Sequence, residues 1–576
     1  MSNTNWFGKL FNRNRGGEID FGDILLDGKN LPQFKTENLE GEMVQPISRK
    51  AFSTVLFIFI VLVGISAMRL FSLQVVNGQE YSTRAENNRL SKTVIFNKRG
   101  IISDRNGTEL AWNAFTDNRD FPLRRYIDTP GFAHMLGYVT YPQQDSRGNY
   151  FSTEYKGVSG LEYAYSDRLN GQLGQELREV DSLGRTISSY ATQKPVPGEN
   201  ITLSIDSGIQ AIMGEELARY VDELGFVGAA GGIMDVRTGE LIAMTSVPEY
   251  DNNILSDGSD RTTIASYNTD QTLPFLNRMV GGTFAPGSIV KVFIGAGLMN
   301  EDIVDPNYRL FTDGTLEVPN TFGRGFTMFR DARNNGIVDF FSATARSSNI
   351  YFMTFGGGFG PHRGLGIQGM KKYLNMFGLG EKTGIKEFNE LSGVVPSPEW
   401  KDKTFGEKWV LGDTYFTAIG QYGFLSTPMQ ALVAVSALAN DGRVLVPQLA
   451  KNAIPQVRRE IPIGSSDMQL VRDAMRQTVL AGTTRSLNLP FVEVASKSGT
   501  AERGVRRSQV NSWTIGFWPY QDPKYSFVVM AEQGPRSYPY SVSRVMTRVL
   551  NRMNEEGLAE EYFEKKVSGT VPPAEN

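Results

Sequence analysis

The chain has 576 residues, 40% of them hydrophobic and 21% charged, which suits about two to four domains and excludes wholesale disorder. A net charge of −3 with interspersed signs gives nucleic acid no electrostatic handle. Cysteine is absent, so disulfides, thiol catalysis and cysteine-ligated metals are excluded. With only His134 and His362 present, a histidine-rich zinc site or a Ser-His-Asp enzyme has little to draw on.

Residues 1–50 are polar, with seven basic and seven acidic side chains and no sustained period, and are expected as a disordered tail. Residues 51–68 then carry no charge, and as a helix they would span about 27 Å, close to a bilayer core. Arg49 and Lys50 at the start favour a cytoplasmic N-terminus, although Arg69 at the far end weakens the bias. A buried core helix and a cleaved signal peptide are the alternatives. The run is longer than a usual signal core and follows a long polar tail. The expectation is a single uncleaved anchor at 51–73, with the rest of the chain outside the cytoplasm.

Residues 74–200 read as short strands and turns. Asn106-Gly107, flanked by apolar residues, signals a hairpin. Gly157-Val-Ser-Gly-Leu-Glu162 and Val180-Asp-Ser-Leu-Gly-Arg185 read as further turns and short strands. Nothing here carries chemistry by itself, so this is expected as a non-catalytic pedestal.

A new regime, 201–565, starts near Ile201. Ile209, Ile212, Met213, Leu217, Tyr220, Val221 and Leu224 recur at helical spacing after Asp206, a good N-cap. Strand-like runs follow near 227–234 and 240–247, joined by a turn at Arg237-Thr-Gly239. At Ala285-Pro-Gly-Ser288 a turn gives way to an apolar helical run. Ser288 thus lies at a helix N-terminus, where free N–H groups favour negative charge, and Lys291 follows one turn later on the same face. A serine hydroxyl needs a base to become a nucleophile, and this spacing supplies an amine. A capping serine followed by a solvated lysine would look the same.

Further helices are expected near 338–354, 427–440 (Thr427 as cap, Pro428 first) and 466–481. Residues 492–496, 513–518 and 525–531 read as strands, and 541–553 as a closing helix. Residues 566–576, with Pro572-Pro573, are expected as a disordered tail. Helices interposed between early and late strands predict an α+β sandwich, an antiparallel sheet flanked by helices.

Ser-x-x-Lys occurs once. Serine enzymes of the penicillin-binding kind complete it with Ser-x-Asn and then Lys-Thr-Gly or its like. Of three Ser-x-Asn matches, Ser266-Tyr-Asn268 precedes the nucleophile and Ser486-Leu-Asn488 crowds the third motif, leaving Ser347-Ser-Asn349. Lys382-Thr-Gly384 follows glycine-punctuated sequence and reads as a loop. Lys497-Ser-Gly-Thr500 ends an apolar run, as an edge strand should, and a substrate peptide could pair along it, with Gly499 leaving room for the substrate backbone. The chemistry then closes. Ser288 attacks a carbonyl, and Lys291, if neutral, takes the proton. Lysine normally titrates near ~10.4, so burial or a second cation, for which Lys497 is placed, must lower it by about three units. Ser347 can relay the proton to the leaving amine, and Asn349 can fix the substrate amide or Lys291. The oxyanion would sit between the N–H groups of Ser288 and Thr500, beside Ser498 and Gly499.

At this point the sequence resembles the class B penicillin-binding proteins, from the anchor to about residue 550. Arg69-Leu-Phe, Glu86-Asn-Asn-Arg-Leu90 and Arg99-Gly-Ile-Ile-Ser-Asp-Arg-Asn-Gly107 look like the family's pedestal signature. Val158-Ser-Gly-Leu-Glu162, Val180-Asp-Ser-Leu-Gly-Arg185 and Pro195-Val-Pro-Gly198 are similar to the elongation-type subgroup. The resemblance implies a penicillin-binding transpeptidase fold on a dimerisation-type pedestal and a D,D-transpeptidase that acylates Ser288, releases D-Ala and cross-links peptidoglycan stem peptides during cell-wall elongation. It also implies inhibition by β-lactams, an inner-membrane location, and partners that include a membrane-embedded glycosyltransferase and elongation-complex proteins. A division-type transpeptidase, a D,D-carboxypeptidase or β-lactamase, and an idle penicillin-binding sensor or scaffold are the alternatives. The sequence departs from the pattern in a short spacer and in Gln421-Tyr-Gly423, where Gly-Gln-Gly is usual. Some relatives carry a zinc site built from Cys and His, and 308–346 contains neither residue, so no metal and no cofactor is expected.

Overall fold

A computed structural model describes residues 48–563, except 118, 147–148, 182–185, 321–323, 505–506 and 539, and except the side chains of 84–89 and 91. The expected tails, apart from 48–50 of the first, and the turn at 182–185 lie outside the described residues. The chain forms two compact units, Met1–Leu90 and Ser91–Asn576.

In the first unit, Ser48 caps a helix at Arg49–Phe71, its Oγ accepting from Ala51 N at 3.1 Å. One π-helical turn, Ser72–Val76, extends it, and a second helix covers Gly78–Arg89. The span Arg49–Val76 is long and apolar enough to cross a membrane, and its large apolar side chains, Phe52 to Val76, are exposed apart from Leu73.

In the second unit, Ile102–Ser103 and Glu109–Ala114 form the hairpin expected at Asn106-Gly107, and Asp104 accepts from the N–H groups of Asn106 and Thr108 across the turn. Leu123–Tyr126 and Ile201–Thr202 complete a small sheet with them. The stretch expected as turn and strand at 157–162 instead enters a short helix, Gly160–Ala164. Its Glu162 is fully buried between two guanidinium groups, Arg99 Nε and Arg124 Nε each at 2.6 Å. A carboxylate with two buried cations to neutralise is held inside by them, which overrides the turn preference of Ser159-Gly160.

The larger fold is organised by one antiparallel sheet. Its strands are β1 (Gly228–Asp235), β2 (Leu241–Val247), β3 (Ala495–Arg503), β4 (Gln509–Trp518) and β5 (Tyr525–Pro535), in the order β2-β1-β5-β4-β3. β3 is therefore an edge strand, as expected, but it begins at Ala495 and runs through Lys497-Ser-Gly-Thr500 instead of ending before it. Central strands β1, β4 and β5 are buried along nearly their whole length because helices cover both faces. Helix α1 (Ser207–Leu224), capped by Asp206 with its αL stop at Gly225, packs on one face beside α7 (Ser543–Glu555).

The other face carries α2 (Lys291–Asn300), α5 (Pro428–Ala439) and α6 (Ser465–Ala481). Every residue of α5 is buried, and Thr427 and Gln430 close its first turn as a reciprocal capping box. The helix expected at 338–354 is two helices, α3 (Phe340–Arg346) and α4 (Asn349–Gly357). The break falls at Ser347, in left-handed backbone (φ 58°, ψ 41°), after which Ser348 caps α4. Three consecutive cap-forming residues, Ser347-Ser-Asn349, offer the backbone an alternative to helical bonding, and the apolar period continues on both sides.

Candidate active site

The turn that presents Ser288, the candidate nucleophile, is made by Pro286 and Gly287. Gly287 has φ +57°, and a Cβ there would lie 2.7 Å from the carbonyl oxygen of Thr500 on β3. Only glycine permits both the conformation and that approach. Its N–H donates to the Gly420 carbonyl at 3.0 Å, so the turn is gripped from both sides. Ser288 then opens a 3₁₀ turn, Gly287–Val290, that leads into α2. Buried Ile289 and Val290 anchor this turn, while Ser288 stays half-buried and its hydroxyl makes no hydrogen bond among the described residues.

Lys291, in the first turn of α2, is fully buried. Its Nζ donates to the Ser347 carbonyl at 2.8 Å, to Asn349 Oδ1 at 2.8 Å and to Ser347 Oγ at 3.4 Å, and lies 5.6 Å from the centre of the Phe352 ring. Lys497, also fully buried, reaches the same Ser347 hydroxyl at 3.0 Å and the Ser498 carbonyl at 2.7 Å. The first, second and third motifs thus meet at one hydroxyl.

The left-handed break at Ser347 makes this convergence possible. A continued helix would lock the Ser347 carbonyl into its own ladder, whereas the turn presents carbonyl and hydroxyl together to the two amines. Two ammonium groups this close in a dry site cannot both keep their charge easily. Burial lowers Lys291 to about 7, with the Asp331 carboxylate opposing the fall. Burial, and then repulsion from Lys291, hold Lys497 well below the usual lysine range. A neutral amine at near-neutral pH can serve as the base for an oxygen nucleophile, and the hydroxyl that Lys291 touches here is that of Ser347.

The remaining positions line the strand edge. Ser498 Oγ shares a 2.6 Å hydrogen bond with Thr483 Oγ1, and exposed Thr500 has its Oγ1 3.3 Å from Tyr538 OH. Gly499 makes room, as expected, but for a different neighbour. A Cβ there would be 2.7 Å from the Pro286 carbonyl oxygen and 3.1 Å from Ile289 N, so the space holds the nucleophile turn.

The competing motifs lie elsewhere. Ser266 and Asn268 sit on an exposed helix, Arg261–Thr269, and bond only within it. Ser486 belongs to a 3₁₀ turn, Arg485–Leu487, and meets Ser543. Lys382-Thr-Gly384 is a loop whose Thr383 N, Thr383 Oγ1 and Gly384 N all donate to buried Glu390, at 2.8, 2.6 and 2.8 Å. In the unusual Gln421-Tyr-Gly423 stretch, Tyr422 itself adopts left-handed backbone, φ 59°, with its ring stacked on Phe416.

Sequence reasoning missed Asp331. It lies in a polar stretch without periodicity, and no spacing rule links it to Ser348, 17 residues on.

Comparison with known proteins agrees with this geometry. The family described as penicillin binding protein transpeptidase domain matches residues 229–552, more than half of the chain, and the penicillin-binding protein dimerisation domain matches 117–203. The chain is 29% identical over 435 residues to the peptidoglycan D,D-transpeptidase MrdA of Acinetobacter baumannii, covering 70% of this chain and 62% of that relative. It is 27% identical to MrdA of Haemophilus influenzae, covering 82% of this chain and 87% of that one. Among solved structures, Pseudomonas aeruginosa PBP2 in complex with WCK 5153 superposes with a TM-score of 0.67 at 30% identity, covering 84% of this chain and all of that one. Helicobacter pylori PBP2, solved in complex with MreC, shares the fold with a TM-score of 0.67 at 24% identity, covering 81% of this chain and 99% of that one. The antiparallel sheet with its two helical layers is the penicillin-binding transpeptidase fold, and the chain belongs to the class B penicillin-binding proteins, with a dimerisation domain ahead of the transpeptidase domain.

Proposed function

We infer that the chain is an elongation-type peptidoglycan D,D-transpeptidase in which Ser288 is the nucleophile and Lys291 its base. The observation that carries this reading is the convergence of both buried amines on the Ser347 hydroxyl, with Lys291 lowered to about 7. The names of the MrdA relatives support the same activity.

In the proposed cycle, neutral Lys291 Nζ accepts the Ser288 proton as Oγ attacks the carbonyl of the penultimate D-Ala. The oxyanion is held by the N–H groups of Ser288 and Thr500. Ser347 Oγ passes the proton to the departing D-Ala nitrogen as the C–N bond breaks, and Lys497 keeps that hydroxyl oriented. An amine from a neighbouring stem then attacks the acyl-enzyme, yields its proton along the same path and leaves Ser288 free. Asn349 holds the Lys291 amine, and Ser498, Gly499 and Thr500 form the strand edge along which the donor peptide pairs. β-Lactams enter by the same acylation step.

The anchor Arg49–Val76 fits a single membrane pass with the N-terminus inside and catalysis outside, and Arg49 and Lys50 support that orientation. A membrane glycosyltransferase and elongation-complex proteins are the proposed partners. The Helicobacter relative solved with MreC supports the latter.

Fluorescent penicillin tests the assignment directly. Wild-type protein should label and Ser288→Ala should not; equal labelling of the two removes Ser288 from the mechanism. A stem-peptide donor offered with and without an amine acceptor then separates transfer from hydrolysis.

A further inference from the structure

The turn that brings the motifs together is itself held from behind by a residue outside all three motifs. Asp331 follows the hairpin of Thr315–Pro319 and Phe326–Arg330. Its Oδ1 accepts from Asn349 N and, at 3.3 Å, from Ile350 N. Its Oδ2 accepts from Ser348 Oγ at 2.8 Å and Asn335 Nδ2 at 2.9 Å. The adjoining Arg330 carbonyl takes Asn349 Nδ2 at 3.1 Å. The carboxylate therefore caps α4, satisfying orphan N–H groups at its positive end. It also pins Ser348 and Asn349, the two residues that follow the left-handed Ser347. Left-handed backbone is strained for a non-glycine residue, so the turn needs such a restraint.

We propose that Asp331 is a positioning residue for acylation, holding the Ser347–Asn349 turn against Lys291 and supplying the negative charge that faces the buried Lys291 amine. This rests on Ser288 and Lys291 acting as nucleophile and base. A neutral residue of the same shape could cap the helix, but only a carboxylate favours the ammonium form of Lys291.

The other charged groups nearby leave that effect to Asp331. Lys497 approaches from β3. Exposed Arg346 is tied to the Asn335 carbonyl at 2.7 Å, and the Arg330 guanidinium lies against Met328 Sδ. Helices Gly366–Met376 and α6 pack against α2 through the common apolar core, and Phe352 lies over the amine.

The test is the pH profile of fluorescent-penicillin acylation, from pH 5 to 9, for the full-length protein in detergent. Wild type should have its midpoint near the Lys291 value of about 7. Asp331→Asn should show a reduced plateau and a midpoint about one pH unit lower, since removing an opposite charge disfavours the ammonium. Ser348→Ala, which removes the hydroxyl's hydrogen bonds to Asp331 and from Tyr351 N but no charge, should lower the plateau about fivefold and leave the midpoint in place. An Asp331→Asn midpoint equal to wild type overturns the proposal, as does a Ser348→Ala midpoint that moves. If Asp331→Asn fails to fold, Asp331→Glu takes its place: it keeps the charge while displacing the turn, so the plateau should fall at the wild-type midpoint, and an unchanged plateau overturns the proposal. Failure of the nucleophile assignment is seen separately, as labelling that survives Ser288→Ala.

Discussion

Replacing Gly287 by alanine separates the stability of the nucleophile turn from its chemical function. The added Cβ would meet the Thr500 carbonyl carbon at 2.8 Å and its oxygen at 2.7 Å. Carbon contacts relax at about 3.5 Å or more, so turn and strand must part by about 0.7 Å. The left-handed φ of +57° adds about 1–2 kcal/mol of strain. Overpacking, at about 1–3 kcal/mol, and strain together should cost about 2–5 kcal/mol of stability. A separate kinetic loss should accompany it, because the separation spreads the N–H groups of Ser288 and Thr500. Misplacement on the order of 1 Å costs about 100-fold, or roughly 2.7 kcal/mol of barrier. The assay is the time course of fluorescent-penicillin labelling on full-length protein, with a thermal melt of the same sample. Gly225→Ala is the control. It has φ +69° at the end of α1 and no atom within 4 Å of its Cβ position, so it should pay the conformational cost and acylate normally. Acylation of Gly287→Ala within about threefold of wild type would refute the oxyanion assignment.

Two further outcomes follow from the buried charges. Because neutral Lys291 is the proposed base and burial lowers it to about 7, acylation should be on its plateau above pH 7 and fall about tenfold per pH unit well below it; a flat profile down to pH 5.5 removes Lys291 from that role. Glu162→Gln should destabilise the chain by about 3 kcal/mol, since Arg99 and Arg124 would keep their charge without a buried partner, and a melt within about 0.5 kcal/mol of wild type would show that the cluster relaxes freely. Burial works against the Glu162 charge, but Arg124 and Arg99 outweigh it and hold its carboxyl below the usual range. Its contribution is thus complete above the unfolded value of about 4.3 and is lost as pH falls through the lower folded value.

Much of the site was legible because its signals are local. Ser288 and Lys291 share one turn of chain, Asp206 and Thr427 cap the helices expected of them, and the run before Lys497 distinguished the strand motif from the loop at Lys382. The hairpin at Asn106-Gly107 was legible for the same reason. The break at Ser347 was not, because an apolar helical period runs through 338–354 while the competing preference lies in only three residues. Glu162 was misread because its conformation is set by Arg99 and Arg124, far away in sequence. Asp331 escaped notice for a related reason: its partners are backbone N–H groups of α4, which have no signature of their own.

The position of β3 at the sheet margin has a consequence for self-association. An unpaired strand edge is open to any extended chain, including the same edge on another molecule. Here the turn at Pro286 to Ile289 packs on β3 at Gly499 and Thr500, so an extended chain pairing along that edge passes beside Ser288. The glycines that bring Ser288 and the strand together therefore make any chain that adds to this edge a neighbour of the Ser288 hydroxyl.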